Sequence, residues 1–579
     1  MGRLQYYRKR RKSIRFIIGG LSFAFVLTMT SLILLLYPFH SNVKEPYFTG
    51  ENPILYNGKQ KGNALIEGDT VYVPLSFMEE NFDETMTFDK KSNSIIITTK
   101  DKVVQMPTES LTYYVNEKPV ELHLPPLKTR DGKLYLALNS VLDYYPIQFV
   151  RLQETGAIWV QKDGEERKLG HITEKDRTKK ELRMRIKPSL KSPYTEETVG
   201  KEAVFIEKEF EGYYFVRKQN GVGGYLKKEV VMEGPSQKVI VSRENKQPQL
   251  PKIEGPINLT WEAVYSKNPD LLTMPEMPGV NVVSPTWFEL TSSDGTVKNL
   301  GSNEYVKWAK ERGYHIWALF SNGFDPQLTH EALKDFETRQ TIIRQLLHYS
   351  QMYELDGINI DIENVNEEDG PLVTQFMREA TPYFHEAGLI VSMDITFIAG
   401  GNWSAFYERD KLADIADYLA VMAYDEHWGS SPVAGSVASL PWVEKNLQTL
   451  LEVVPHERLV LGVPLYTRLW KETEKPDGTI EVSSEAMSMG KIQEWMSDKN
   501  LSKKYDEKSG QNYVEYNNED EKTTYKIWLE DELSLKKRAD LAKKYKLAGV
   551  ASWARYFADE RAWTALRLDD ENTVTQKSQ

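Results

Sequence analysis

The 579-residue sequence predicts a multidomain protein: an N-terminal transmembrane helix, a small α+β repeat domain, a small all-β barrel, and a C-terminal (β/α)8 TIM barrel with an insertion before its last strand. Three observations predict this fold class. A run of 22 residues without charge lies near the N-terminus, and short strand-like runs that form an internal repeat follow it. Eight apolar strand-like runs then alternate with helical stretches, which is typical of a parallel sheet built from βα units.

Charge and composition exclude several classes of function. Residues 1–15 contain seven Lys and Arg and no acid, so the rest of the chain has a net charge of -11 - 7 = -18. An acidic body argues against nucleic acid as a partner, because binding phosphates requires a basic face. The sequence has no cysteine, which excludes disulfides, thiolate metal sites and cysteine nucleophiles.

The charge-free run is Phe16–Tyr37, predicted as a transmembrane helix over residues 16–37. As a helix it would be about 33 Å long, enough to cross a hydrocarbon core of about 30 Å. The basic tip, residues 1–15, favours a cytoplasmic N-terminus, with everything after His40 outside the cell membrane. The alternative is a cleaved signal peptide, although its apolar region is usually shorter and no small-x-small cleavage site follows Tyr37.

Residues 50–163 show two similar halves. Val71–Leu75 and Leu134–Leu138 open them as strands, each followed by a predicted helical patch (Phe77 and Met78, then Val141 and Leu142), and Ser94–Thr98 and Ala157–Val160 close them. This pattern resembles the copper amine oxidase N-terminal-like domain of exported bacterial proteins. Copper is not implied, because His123 is the single histidine in the stretch. We expect a stalk or a wall-facing module.

Residues 180–232 contain short, aromatic-rich strands, predicted at 203–207, 212–217 and 224–226. The runs LRMRIKPSLKSPY and EGYYFVRKQNGVGGYL resemble a bacterial Src-homology-3-like barrel. Such modules often touch peptidoglycan, and a spacer without a ligand is an equal alternative. A proline-rich linker, residues 233–255, follows.

The last domain, residues 256–570, contains the eight strands of the predicted barrel. They start near Ile257, Gly279, Tyr314, Asp356, Leu389, Tyr418, Leu459 and Ala548. The longest gap, about 467–545, exceeds one helix and predicts a small inserted subdomain.

The fourth strand, DGINIDIE, contains the candidate catalytic residues. Since side chains of a strand alternate between its faces, Ile358, Ile360 and Ile362 are expected to pack against helices. Asn359, Asp361 and Glu363 then point into the barrel, where burying two carboxylates is costly unless they are paired or hydrogen-bonded. Glu363 comes last, at the carboxyl end of the strand, where active sites of such barrels lie. The alternative is a buried polar network that fixes strand register.

DGINIDIE resembles the DGxDxDxE signature of glycoside hydrolase family 18. Three further motifs, each at a strand end, are similar to this family: Met422–Asp425, Gly462–Arg468 and Gly549–Trp553. The resemblance covers about residues 256–566.

The resemblance implies substrate-assisted, retaining catalysis, in which the sugar's own 2-acetamido carbonyl attacks the anomeric carbon and forms an oxazolinium ion. Glu363 would protonate the leaving oxygen, Asp361 would bind the acetamide N–H, and Tyr424 would orient the acetamide. Trp553 would form the apolar floor. No metal and no organic cofactor are expected.

The first inward aspartate of the family is replaced by Asn359, assigned to substrate binding. Bacterial members that act on spore cortex or wall peptidoglycan are similar in this respect, so the departure favours peptidoglycan as substrate. Further predicted substrate-binding residues are Asp425, Tyr466, Arg468, Trp553 and Trp287. For these the alternatives are a structural salt bridge at Asp425, loop anchoring at Tyr466 and Arg468, and core packing at Trp287. His427 is expected not to bind metal.

The leading hypothesis is a membrane-anchored extracellular enzyme that cleaves β-1,4 bonds of an N-acetylhexosamine polysaccharide, peptidoglycan in preference to chitin. A chitin or chitooligosaccharide hydrolase is the first alternative. A non-catalytic carbohydrate-binding barrel is the second, disfavoured because Glu363 is present. An envelope scaffold is the third. The sequence predicts neither endo or exo action nor an oligomeric state.

Overall fold

The computed structural model describes residues 2–36, 40–173, 177–242, 250–251 and 253–568. The chain divides into two compact units, one of residues 1–84 and 124–245 and the other of residues 85–123 and 246–579. The boundary at 84–85 falls inside the predicted repeat domain. That domain therefore contributes its middle part to the unit that contains the barrel.

The N-terminal helix α1 (Gly2–Leu36) contains the predicted apolar segment. Its window Phe16–Ile33 has a mean hydropathy of 2.1 and no buried residue. This helix is long and apolar enough to cross a membrane, and a signal sequence has the same properties. Tyr37, the predicted end of the span, lies outside the described residues.

The repeat domain consists of short strands and one α-helix. Its elements are β1 (Pro53–Tyr56), β2 (Lys59–Asn63), β3 (Leu65–Glu67), β4 (Thr70–Pro74), α2 (Leu75–Asn81), β5 (Thr87–Asp89), β6 (Ser94–Thr98), β7 (Val103–Pro107), β8 (Thr112–Val115), β9 (Lys118–Glu121), β10 (Leu127–Arg130), β11 (Lys133–Ala137), a 3-10 turn (Leu138–Ser140), β12 (Ile147–Arg151) and β13 (Ile158–Lys162). The strands that open the two halves, β4 and β11, pair with each other in antiparallel fashion.

The four predicted strands of the repeat are confirmed, and so is the helix at Phe77 and Met78. The second predicted helical patch, at Val141 and Leu142, is wrong, because the 3-10 turn before it does not extend into a helix. Asn139 and Ser140 have low helix propensity, and Pro146 disfavours helical backbone at the residue before it.

A seven-stranded antiparallel sheet follows, in the order β16-β15-β19-β18-β17-β14-β20. Its strands are β14 (Glu166–Ile172), β15 (Arg183–Arg185), β16 (Tyr194–Glu197), β17 (Ala203–Phe210), β18 (Tyr213–Lys218), β19 (Gly223–Lys227) and β20 (Val231–Lys238), with a 3-10 turn at Lys228–Val230. The three predicted strands are present, and the sheet extends beyond both predicted limits of residues 180–232. It has its own apolar core, which includes Met184, Val204 and Val216.

The C-terminal domain is a closed barrel of eight parallel strands, as predicted. They are β21 (Ile257–Glu262), β22 (Val282–Pro285), β25 (His315–Ser321), β26 (Gly357–Asp361), β27 (Ile390–Thr396), β28 (Tyr418–Met422), β29 (Leu459–Pro464) and β35 (Gly549–Trp553). The last strand pairs with both β29 and β21, which closes the ring. A hairpin, β23 (Phe288–Leu290) and β24 (Val297–Asn299), joins the edge of β25.

Helices cover the outside of the barrel. They are α3 (Asn303–Glu311), α4 (Pro326–Leu333), α5 (Phe336–Met352), α6 (Gly370–Glu386), α7 (Arg409–Ile415), α8 (Leu440–Leu450), α10 (Glu532–Lys544) and α11 (Glu560–Ala565), with 3-10 turns at Glu367–Asp369, His456–Arg458 and Arg555–Phe557. Ile358, Ile360 and Ile362 pack in the core between strands and helices, as their alternation predicts. A separate cluster with Leu259, Trp317 and Leu319 fills the barrel itself.

A five-stranded antiparallel sheet with one helix lies between β29 and α10, inside the predicted insertion of about 467–545. Its elements are β30 (Tyr466–Glu474), β31 (Ile480–Ser488), α9 (Met489–Asp498), β32 (Lys504–Asp506), β33 (Gln511–Asn518) and β34 (Thr523–Trp528). The subdomain ends at Trp528, because the following helix α10 contacts β29 and β35 as part of the barrel's outer layer.

Strands β5 to β9 form a sheet, here called the docked sheet (residues 87–121), that packs against barrel helices. Ile96 and Val103 belong to the same apolar core as α5 and α6. Asp89 Oδ1 accepts a hydrogen bond of 3.0 Å from the backbone N–H of Phe336, the first residue of α5. It thereby caps a helix whose own N-cap side chain makes no such bond. This part of the repeat domain thus packs on the barrel, and the expectation of a stalk or a wall-facing module stays a prediction.

Candidate active site

Polar side chains of β26 point into the barrel in the predicted alternation. Asn359 is fully buried, and its Oδ1 accepts hydrogen bonds from Trp261 Nε1 (2.8 Å) and Ser284 Oγ (3.1 Å). Its Nδ2 donates to Ser392 Oγ (3.1 Å) and Asp394 Oδ1 (2.9 Å). These four bonds occupy the amide completely. The predicted contact of Asn359 with substrate is corrected accordingly: the residue lies below the cleft and supports the carboxylates above it.

Three carboxylic acids, called here the carboxylate row, lie above Asn359: Asp361, Glu363 and Asp394. Asp394 is on the neighbouring strand β27 and is buried. Sequence reasoning missed it, although Ser392 and Asp394 alternate with apolar residues in LIVSMDI and so share the inward face. Among the described residues no lysine or arginine forms an ion pair with any of the three.

Burial without a cation raises the pKa of every member of the carboxylate row. It raises the pKa of Asp361 to about 7. It raises the pKa of Glu363 well above its ordinary value, and the charges of Asp361, Asp394 and Asp425 raise it further. Burial and the charge of Asp361 also raise the pKa of Asp394. Hydrogen bonds from Asn359 and Trp261 lower this pKa, but by less. Burial therefore favours the protonated form of Glu363 near neutral pH, as a general acid requires.

Asp361 has an unused acceptor. Its Oδ1 is buried and, within the described residues, makes no hydrogen bond. An unsatisfied buried acceptor is costly, so in a folded protein it indicates a partner that binds later or a functional role.

The backbone of Glu363 is fixed by Asn322, a residue at the end of β25 that sequence reasoning missed. Asn322 Nδ2 donates to the Glu363 carbonyl (2.7 Å), and Asn322 Oδ1 accepts from the Glu363 N–H (3.1 Å). Tyr407 Oη, also not predicted, donates to the carbonyl of Ile362 at 2.8 Å. Glu363 is consequently held at the strand end by three hydrogen bonds to backbone atoms.

The end of β28 brings Tyr424 and Asp425 to the same cleft. Tyr424 is largely buried, and burial followed by the charge of nearby groups raises its pKa, so its hydroxyl remains a donor. Asp425 has a left-handed backbone (φ 60). Its Oδ1 accepts hydrogen bonds from Tyr466 Oη (2.7 Å) and Arg468 Nη2 (3.0 Å). Arg468 thus contacts Asp425, while Tyr424, Asp425 and Tyr466 themselves line the cleft.

The cleft has a volume of about 480 Å³ and lies above the carboxyl ends of the barrel strands. Trp553, at the end of β35, forms part of its lining, with its ring centroid 6.1 Å from that of Trp261. Trp403, which sequence reasoning missed because it lies in a loop, is 53% exposed at the cleft, near Phe324. Such aromatic faces suit the apolar faces of sugar rings.

Trp287 borders the cleft but is only 1% exposed. Its Nε1 donates to Asn268 Oδ1 (2.7 Å), and its ring packs against Tyr305 and Tyr353. Trp287 therefore packs in the core, which was the alternative to sugar binding for this residue. No face of its ring is free to stack on a sugar.

Histidines and carboxylates do not assemble into a metal site in the part of the chain that the structure describes. His427 Nδ1 lies 2.8 Å from the carbonyl of Ser436. Glu530 is buried with Arg538, whose Nη2 donates to Glu530 Oε1 at 2.9 Å.

Comparison with known proteins gives two matches to family models. Residues 280–558 match the model described as "Glycosyl hydrolases family 18", and residues 55–156 match "Copper amine oxidase N-terminal domain". The first match includes the carboxylate row, Tyr424, Asp425 and Trp553.

Individual proteins are similar to parts of this chain. The "Uncharacterized glycosylase YvbX" of Bacillus subtilis is 27% identical over 47% of this chain and 80% of its own length. The "Cortical fragment-lytic enzyme" of the same organism is 23% identical over 45% of this chain and 60% of its own, less than two thirds. The solved structure of the Bacillus megaterium spore cortex-lytic enzyme SleL is 19% identical with a TM-score of 0.49, covering 64% of this chain and 89% of that one.

Proposed function

Since the barrel of this chain belongs to glycosyl hydrolases family 18, we propose that the enzyme cleaves β-1,4 bonds after N-acetylglucosamine in peptidoglycan, with Glu363 as the general acid. The chain is a glycosyl hydrolase, and one of its relatives bears the name glycosylase. The observation that carries the assignment is the cation-free carboxylate row, in which burial raises the pKa of Glu363 at the open end of the barrel.

The catalytic steps follow from what each side chain offers. Protonated Glu363 donates its proton to the glycosidic oxygen as the bond to the anomeric carbon breaks. The carbonyl oxygen of the sugar's 2-acetamido group forms the new bond to that carbon, which gives an oxazolinium ion and explains why no second carboxylate is needed as nucleophile. Glu363, now ionised, accepts a proton from the water that opens this ion, so the product keeps its anomeric configuration.

Asp361 supports the acetamide in this mechanism. Its free Oδ1 is an acceptor for the acetamide N–H, and its negative charge stabilises the positive charge that develops on the oxazolinium ion. The hydroxyl of Tyr424 remains protonated and donates to the acetamide oxygen, which aims that oxygen at the anomeric carbon. Trp553 provides the apolar floor for the sugar.

Peptidoglycan is proposed over chitin for two reasons. A relative bears the name cortical fragment-lytic enzyme, and α1 is suited to hold the enzyme at the cell membrane, next to the wall. We propose that residues 1–15 are cytoplasmic and that the domains after His40 are extracellular. Chitooligosaccharide hydrolysis remains the second candidate, favoured by the excess of acidic over basic side chains that line the cleft, which suits a neutral glycan.

The test uses the full-length protein in detergent, incubated with purified peptidoglycan and, separately, with chitooligosaccharides, and the products are identified by mass spectrometry. We expect wall fragments with N-acetylglucosamine at the reducing end. Glu363→Gln is expected to lower the rate by about 10³-fold or more. Glu367→Gln is the control, because Glu367 is exposed and close in sequence.

Full activity of Glu363→Gln would refute the assignment of the acid, and fragments ending in N-acetylmuramic acid would refute the proposed bond. A glycan with free 2-amino groups serves as a negative control. It has no acetamide carbonyl, so the substrate-assisted mechanism predicts that it is not cleaved. Membrane fractionation tests the anchor: full-length protein in the soluble fraction without detergent would contradict it.

A further inference from the structure

The hairpin β23–β24 forms one wall of the cleft, and strand register connects it directly to the carboxylate row. Asp361 pairs with Ser321 of β25, Ser321 pairs with Glu289 of β23, and Glu289 pairs with Lys298 of β24. Three strand spacings of about 4.8 Å place the backbone of Lys298 about 14 Å from that of Asp361. Both Glu289 and Lys298 line the cleft.

Lys298 is the only basic residue among the described residues that line this cleft. The same lining contains five acids: Glu289, Asp361, Glu363, Asp394 and Asp425. A negatively charged substrate would therefore be repelled along most of the cleft and attracted at one position.

Among the described residues the ammonium group of Lys298 has no strong partner. Its single ion pair there is with Glu289 Oε2 at 3.8 Å, and the two side chains are 40% and 46% exposed. Exposed pairs at such a distance contribute little, so the lysine is free to exchange Glu289 for a carboxylate of a ligand.

We propose that Lys298 binds a carboxylate carried by the glycan and so makes the cleft selective for alternating acidic glycans over neutral chitin. The inference rests on the proposed function, and it identifies a carboxylate as the feature of the glycan that the cleft recognises. The carboxylate belongs either to the lactyl ether of N-acetylmuramic acid or to the peptide attached to it. Both present the same anion at a sugar a few units from the bond that is cut.

The experiment measures kcat/KM of the full-length enzyme on three substrates: peptide-bearing peptidoglycan glycans, the same glycans after enzymatic removal of the peptides, and neutral chitooligosaccharides. The quantity compared is the ratio of acidic to neutral substrate. Lys298→Met is expected to lower this ratio about 3- to 10-fold at low salt, and Lys298→Glu by more. Because salt screens the attraction, the effect shrinks at high ionic strength.

The control is Lys307→Met, which removes an exposed lysine of helix α3 away from the cleft and leaves the ratio unchanged. A drop only on the peptide-free glycan identifies the lactyl carboxylate, because that carboxyl is an amide while the peptide is attached. A drop only on the peptide-bearing glycan identifies the peptide, and a drop on both means that Lys298 binds either anion. An unchanged ratio in Lys298→Met and Lys298→Glu overturns the inference, while cleavage of no substrate by the unmodified enzyme overturns the proposed function itself.

Discussion

Buried carboxylates occur in two settings in the barrel domain. On the outer helices, Glu379 accepts hydrogen bonds from Arg339 Nη2 (2.7 Å) and Nε (2.9 Å) and from Gln375 Nε2 (2.9 Å). In the cleft, Asp361 and Glu363 have no basic partner within the described residues. The first arrangement compensates the cost of burying a charge, and the second leaves that cost in place.

A raised pKa alone does not separate the two settings. Burial raises the pKa of Glu530 to about 7, as it does for Asp361, although Glu530 is paired with Arg538. The feature that distinguishes the cleft is the missing arginine together with an open path to solvent. Uncompensated carboxylates at a strand end are expected to be retained for chemistry, whereas paired ones are expected to matter for stability.

The largest effect is expected at the paired carboxylate. Glu379→Gln leaves the buried guanidinium of Arg339 without its counter-charge, which should cost about 3–5 kcal/mol of unfolding free energy. Urea denaturation of the purified protein measures it, with Glu368→Gln, an exposed acid that precedes the same helix, as control. A loss below about 1 kcal/mol would mean that the ion pair is not a stabilising element. Activity of the folded fraction should remain.

The next effect concerns the unpaired row. Asp361→Asn removes the acceptor and the charge proposed to support the acetamide, and we expect kcat/KM to fall about 100-fold. Steady-state kinetics on the preferred glycan measure the change, and Glu367→Gln again serves as control. Unchanged kinetics would remove Asp361 from the mechanism and leave it as a structural residue.

The smallest effect is on stability and depends on pH. In the folded protein the pKa of Asp361 is about 7, above the value of about 3.9 in an unfolded chain. Its contribution to stability is therefore complete below about pH 4 and is lost as the pH rises towards 7. Asp361→Asn should thus be more stable than the unmodified enzyme at pH 8, by about 1–3 kcal/mol, with little gain at pH 4.5. Thermal unfolding at both pH values measures it, and a variant less stable at pH 8 would contradict the cost assigned to the row.

Local periodicity was sufficient to predict much of this molecule. The eight barrel strands and the inward direction of Asn359 and Asp361 follow from alternation within single segments, which adjacent residues determine. Motifs at strand ends predicted that Tyr424, Asp425 and Trp553 would converge, because parallel strands of a barrel end at the same rim.

Features that depend on distant contacts were not predictable in this way. Asp394 was not predicted to lie in the cleft. Its strand is buried on both faces and reads as an almost uniformly apolar run, so a single aspartate in it was not taken as a site residue. Asn322 and Tyr407 act through backbone atoms of other segments, and Trp403 reaches the cleft from a loop. Asn359 was predicted to contact substrate because it shares the inward face of its strand with Asp361 and Glu363, which line the cleft. Its four hydrogen bonds to residues of three other strands could not be predicted from that alternation.

The docked sheet makes the folding unit of the enzyme discontinuous in sequence. Ile96 and Val103 cover apolar surface of the barrel helices, and Asp89 closes the start of α5. A barrel produced from Ile257 onwards would keep every residue of the cleft yet expose that surface to water and leave the helix end uncapped. The smallest autonomous form of this hydrolase therefore begins well before its catalytic domain, and its boundaries cannot be chosen from the family match alone.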